Sequence, residues 1–121
     1  MEERLPIAID DILASVRKKA GIGEDYTHFD PELIDLINNA FATLYQIGLT
    51  DNGKPIHITG HGEKWSDYIT DPVYEWVKDY IFLRVRIVFD PPSSSTLLDN
   101  LKQARDEYEW RIYTQLELDE K

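Results

Sequence analysis

His57 and His61 stand four residues apart, with Glu63 close behind. On a helix that spacing puts two imidazoles on one face, where they can hold a metal ion with a carboxylate as third ligand or base. The segment HITGHGE argues against it, because Gly60 and Gly62 disfavour a helix and no third close ligand is evident. The string GHGE also lacks the length and the lysine of a phosphate-cradling loop, and no strand-to-helix turn surrounds it. Ser93, Ser94 and Ser95 would be nucleophiles only beside a histidine base, and nothing local supplies one. Capping a helix is their simpler use. Adjacent acids such as Asp10-Asp11 and Asp106-Glu107 carry no acid–base information in a chain with 23 Asp and Glu, and read as solvated faces. No catalytic residue, metal ligand or cofactor is expected.

Two arginines and one indole raise a different question. Arg84 and Arg86 lie inside an apolar run, and a buried guanidinium must be paired. Either an acid of a neighbouring helix pairs with them, or they meet a second subunit. Trp65 has two readings as well: a plug closing the core, or an anchor on a partner.

The elements that would position these residues follow from the apolar period and the punctuation between segments. Ile12, Leu13 and Val16 share a helical face, Asp10 or Asp11 can cap its start, Arg17 to Lys19 suit the negative end of its dipole, and Gly21 stops it. Asp30-Pro31-Glu32 opens a second helix, with Asp30 as the capping acid, and Leu33, Ile34, Ile37, Phe41, Leu44 and Tyr45 recur through it from Pro31 to Ile47. From Leu49 to Ser66 the period fails. Asn52-Gly53 is a turn signal there, and Lys54 to Thr59 reads as a short strand or hairpin arm. Asp71-Pro72 repeats the Asp-Pro opening, and a third helix runs from Val73 to Phe89, apolar nearly all round and therefore central. Its second half, YIFLRVRIVF, would also suit a strand by composition, but no Gly or Pro interrupts it. Asp90 ends it, because the following proline disfavours a helical residue before it. Pro91 and Pro92 stiffen the corner, and one of the three serines caps a fourth helix striped by Leu97, Leu98, Leu101, Ala104, Tyr108 and Ile112. Trp110 and Tyr113 lie off that stripe, among acids, and suggest docking.

A chain of 121 residues matches one domain with a modest core. The fold class expected is all-α: a small bundle of about four helices, with a protruding loop at 49–66 and an acidic tail at 114–121. The formal charge of −10 disfavours static DNA binding, which requires clustered Lys and Arg to displace counterions. The same charge would keep a channel wall from adhering to DNA. Three Trp, seven Tyr and four Phe exceed what a small helical core needs. There is no cysteine, hence no disulfide and no thiolate zinc site. The start, MEERLPIAIDD, is too acidic for a signal peptide, and no run approaches a membrane span, so an intracellular, soluble protein is expected.

Four stretches in this order, FDPELIDLINNAFATLYQIG from Phe29, WSDY from Trp65, VKDYIFLRVRIVFDPPSSSTLLDNL from Val77 and EYEWRI from Glu107, resemble the small head-tail connector, or adaptor, proteins of tailed bacteriophages and prophages of the gp6-like type. The likeness covers most of the chain from about Ile12. It implies a helical subunit that assembles on itself as a ring of about a dozen copies beneath the portal. Such a ring extends a channel through which DNA passes without specific binding, and offers a surface to tail-completion or stopper proteins. It implies a virion protein of the head–tail interface, assembled in the bacterial host cytoplasm. By position, portal contact falls to Trp110, Tyr113 and Glu117, and ring or stopper contact to Arg84, Arg86, His57 and Trp65. The corner of Asp90, Pro91, Pro92 and Ser94 would set the angle of the last helix. Two other classes compete: a DNA-packaging or regulatory protein such as a small terminase subunit, for which Arg17 to Lys19 is the one dense basic run, and a metal-dependent hydrolase resting on His57 and His61.

Overall fold

The computed structural model describes residues 10–23, 26–69 and 73–119. The expected Asp71-Pro72 opening, the first nine residues and the last two lie outside them. Within them the chain forms α1 (Ile12–Lys19), α2 (Asp30–Gln46), the single turn α3 (Trp65–Tyr68), α4 (Tyr74–Phe89) and α5 (Ser95–Asp119). α4 is the central rod, packed on α5, on α2 and on α1. The all-α bundle is as expected, and YIFLRVRIVF is helical throughout.

The core follows the apolar period. Ile12, Leu13 and Val16 of α1, Leu33, Ile37, Phe41 and Leu44 of α2, and Val77, Tyr80, Ile81 and Val85 of α4 are buried together. Asp11 is the cap of α1: it is extended, and its carboxylate accepts from the Ala14 amide at 2.8 Å. The capping role expected of Asp30 is not observed. Phe29 holds the cap position of α2 without a side-chain bond, and Asp30 begins the helix itself with Pro31 behind it. Its carboxylate turns instead to Arg17, 3.3 Å away, whose guanidinium is 4 % exposed and also donates to the Gly23 and Tyr26 carbonyls. Arg17 is thus a buried tie across the α1–α2 connection as well as a helix-end cation. Removing either partner of such a pair would strand a charge.

The irregular segment between α2 and α3 is the main departure from expectation. The turn signal is real: Asn52 and Gly53 both have positive φ, 55° and 85°, and Asp51 and Lys54 exchange backbone hydrogen bonds at 2.7 and 3.1 Å. Positive φ at both central residues is the hairpin-type turn that Asn-Gly favours. No strand follows among the described residues, only two isolated bridges, Asp51–Lys54 and Asp11–Lys64. Pro55 has no N–H with which to extend a ladder. What replaces the ladder is side-chain chemistry. Asn38 of α2 clamps the Ile58 backbone from both sides, donating to its carbonyl at 3.0 Å and accepting from its amide at 2.8 Å. Ile56 and Ile58 enter the core, and His57 between them faces out.

The end of the segment is latched to α1. Asp11 accepts from the Gly62 amide at 2.8 Å, the Ile12 amide donates to the Glu63 carbonyl at 3.0 Å, and Asp10 accepts from the Ser66 hydroxyl at 2.7 Å. The later part of the segment is therefore held along the body, while the Asn52-Gly53 turn is exposed. The acidic tail expected at 114–121 is likewise helix as far as Asp119.

The Asn38 clamp should be worth its two bonds: Asn38→Ala is expected to cost about 1–3 kcal/mol in urea unfolding, because the Ile58 amide loses its partner. Trp65→Ala, which empties a fully buried site, should cost about 3–5 kcal/mol by the same measurement. Glu63 gives a pH signature. Burial opposes its ionisation, but the Thr59 amide and hydroxyl at 3.0 and 2.9 Å, with nearby backbone N–H groups, outweigh it and hold the carboxyl below its ordinary value. A depressed folded-state pKa stabilises above the unfolded value and is lost as pH falls through the folded one. Stability measured from pH 5 downward should therefore decline less steeply in Glu63→Gln than in the parent.

Candidate assembly surfaces

α5 is 25 residues long, and Ile112 is its one fully buried residue. A helix of that length is about 38 Å long, so most of its surface is committed to no partner within the subunit. At about 100° per residue its positions sort into faces. Ile112 and Leu116 point to the body, the latter approaching Gly48 to 3.6 Å. Leu101, Ala104 and Tyr108 line one flank. Asp106, Trp110, Tyr113 and Glu117 form a stripe on the flank about 180° away.

Trp110 is 65 % exposed and Tyr113 43 %. Together with Asp106 and Glu109 they border a shallow concavity whose far wall is Ile47, just beyond α2. A hydrogen bond to Glu117 and the charge of that carboxylate raise the Tyr113 pKa above its ordinary value, keeping the hydroxyl protonated as a donor. The stripe is thus acid, indole, phenol, acid, facing solvent. The three residues expected at a portal contact do share a face.

On the opposite flank a groove of about 600 Å³ runs between the end of α1, the second half of α4 and the first half of α5. Phe82, Leu83, Phe89, Leu101 and Ala104 are among its lining, with the charged Lys19, Asp79, Arg86 and Asp90. Lys19 lies 5.5 Å from the Phe82 ring centre, and Arg86 is exposed with no acid paired to it among the described residues. Val88 and Leu97, on either side of the corner, are 61 % and 55 % exposed. The corner itself behaves as expected. Asp90 closes α4 with its amide on the Arg86 carbonyl at 2.9 Å, and Ser94 caps α5 by accepting from the Leu97 amide at 3.2 Å. Pro91 and Pro92 span the gap.

Arg84 and Arg86 diverge, as residues two apart on a helix must. Among the described residues Arg84 pairs directly with no acid. It donates to the Tyr80 hydroxyl at 2.9 Å and to Thr43 of α2 at 3.2 Å, and Tyr80 donates in turn to Glu109 of α5 at 3.3 Å. The carboxylate is reached through a phenol. Burial raises the Tyr80 pKa, Arg84 opposes the shift and Glu109 adds to it, so the phenol stays protonated and can donate toward Glu109. Burial and the adjacent Asp79 raise Tyr108 likewise, and its hydroxyl reaches Asp79 at 3.4 Å.

Trp65 is not a surface anchor. It is fully buried, edge-on to Phe41 at 6.3 Å and Phe82 at 6.0 Å between ring centres, with its N–H donating to Ser15 at 2.8 Å. His57 is exposed on the loop, while His61 stands 3.4 Å from Asp11 and 3.9 Å from Asp30. Among the described residues no group of three His, Asp or Glu could hold a metal ion.

Sequence reasoning missed the groove and the Asp11–His61–Asp30–Arg17 cluster. The groove joins α1, α4 and α5, and no local pattern in the sequence places those three segments together. The cluster joins residues about 50 positions apart and leaves no local trace.

Among the described residues no helix is long and apolar enough to cross a membrane. Neither the comparison with curated proteins nor that with solved structures finds a match. The model of the phage connector protein family matches residues 12–119, from the first residue of α1 to the last of α5. A helical subunit with unspent apolar surface on both flanks of its last helix is what a part built to join other parts requires, and the chain belongs to the phage connector protein family.

Proposed function

We propose that this connector is a non-catalytic adaptor that assembles as a ring of about a dozen copies beneath the portal, extends the DNA channel and receives the tail-completion proteins. The observation that carries this reading is α5, a helix of 25 residues with a single fully buried side chain and exposed aromatics among acids. A subunit acting alone would gain nothing from leaving an indole 65 % in water. The head-tail connector role itself is supported by the family, which is structural rather than enzymatic. We assign the portal contact to the C-terminal end of α5, where Glu117 and Leu118 are exposed, and the stopper contact to the loop around His57. The virion, after assembly in the host cytoplasm, is its place of action on this reading.

The formal charge of −10 suits a conduit, since like charges repel over about 8 Å at physiological salt. The rival reading as a small terminase-like DNA binder loses ground on Arg17, which belongs to the one dense basic run and is buried against Asp30.

Mixed with its portal, the protein should add a layer to the annular particles seen by negative-stain imaging. Persistent lack of binding at micromolar concentration would overturn the proposal. In the same preparation, duplex DNA should show no retardation by the free protein in about 100 mM salt, where a DNA-binding subunit of this size would bind.

A further inference from the structure

The two flanks of α5 differ in kind. One carries a largely apolar groove whose charged lining residues include the exposed Lys19 and Arg86 with Asp79 and Asp90, and the other an aromatic stripe flanked by acids. Both are built on one rigid helix, about 180° apart around its axis, so the stripe of a subunit cannot enter that subunit's own groove. A second copy can supply it.

Resting on the ring reading above, we propose that the groove is the lateral docking site for a second copy of this chain, and that its occupant is the Asp106–Trp110–Tyr113 stripe of the neighbour. The contact is head-to-tail: each copy offers a groove on one side and a stripe on the other, the arrangement that closes into rings when the rotation per copy is right. Charge favours this occupant. Asp79 and Asp90 also line the groove, Asp79 accepting from the Tyr108 hydroxyl, but among the described residues neither Lys19 nor Arg86 has an acid within salt-bridge distance, and the stripe presents Asp106 beside its rings. Shape favours it too, since about 600 Å³ lined by Phe82, Leu83 and Leu101 has room for an indole and a phenol. At their present exposures Trp110 and Tyr113 would bury on the order of 250 Å², about a third of the roughly 800 Å² that each partner contributes to a standard interface. This placement takes Trp110 and Tyr113 away from the portal contact that resemblance implies for them and leaves that role to the end of α5.

The test is a charge swap in the full chain. Arg86→Glu damages the groove and Asp106→Lys the stripe, and both positions are exposed, so circular dichroism should show each variant folded. Self-association is followed by sedimentation as concentration rises, and layering on the portal by negative stain. Each variant alone should associate at least about tenfold more weakly than the parent, and an equimolar mixture should recover to within about threefold, because each damaged groove then meets a complementary stripe. Trp110→Ala should weaken association by at least about tenfold and should not be rescued in the mixture with Arg86→Glu beyond pairs. If the parent assembles and the two charge variants do so undiminished, or if mixing restores nothing, the groove–stripe contact is wrong while the adaptor reading stands. If the parent neither self-associates nor layers on the portal, both fall together.

Discussion

The indole of Trp65 is the point on which the fold turns. It lies between Phe41 of α2 and Phe82 of α4 and is hydrogen-bonded to Ser15 of α1, so one side chain from an irregular segment touches all three helices of the inner body. A bundle this small has few large residues with which to fill the space where three rods converge. The single turn α3, at the end of the long irregular segment, supplies one. The long excursion between α2 and α4 exists to deliver this plug and to close over it with Ile56 and Ile58. Its polar backbone is then satisfied by Asn38, Asp11 and Asp10 rather than by a sheet.

With the inner body sealed, α5 is left outside it. Its N-terminal half leans on α4 across a corner that two prolines keep open, and its C-terminal half is fastened by Ile112, Leu116 and the Tyr80–Glu109 bond. The hydrogen-bonded corner at Asp90 and Ser94 matters because it terminates one rod and starts the next without a flexible linker. The angle between α4 and α5 is therefore a property of the chain, and the groove between them has a defined width. A connector that joins other parts gains from this rigidity, because a fixed angle presents the same surface each time.

Much of this was legible in the residues. Gly48 and Asp90-Pro91 punctuate the chain where the helices end, and the three- and four-residue steps of Ile12 to Val16, Leu33 to Leu44 and Val77 to Val85 name the buried faces. The off-stripe position of Trp110 and Tyr113 correctly marked them as exposed. What escaped has a common physical cause. Asp30 looks like a cap because Asp before Pro usually is one, but a buried guanidinium placed 13 residues earlier competes for its carboxylate. Arg84 looks like half of an ion pair, yet a phenol and a hydroxyl satisfy it. Ile56 to Trp65 has no period because its contacts are shared between α2, through Asn38, and α1, through Asp11, Ile12 and Ser15. Local patterns encode local geometry, whereas the Arg17–Asp30, Asn38–Ile58, Arg84–Thr43 and Asp10–Ser66 contacts join residues 13 to 56 positions apart.

The latch between α1 and the loop bears on how the subunit comes together. α1 spans eight residues, fewer than an isolated helix needs to persist in water. Its cap, Asp11, and its first amide are both engaged by residues some fifty positions downstream. Chain closure over that distance costs entropy before any contact repays it, whereas the α4–α5 hairpin closes through a corner of five residues. The paired rods can thus form while the amino-terminal helix is still coil, and the opening and closing of that helix is governed by the loop rather than by its own propensity.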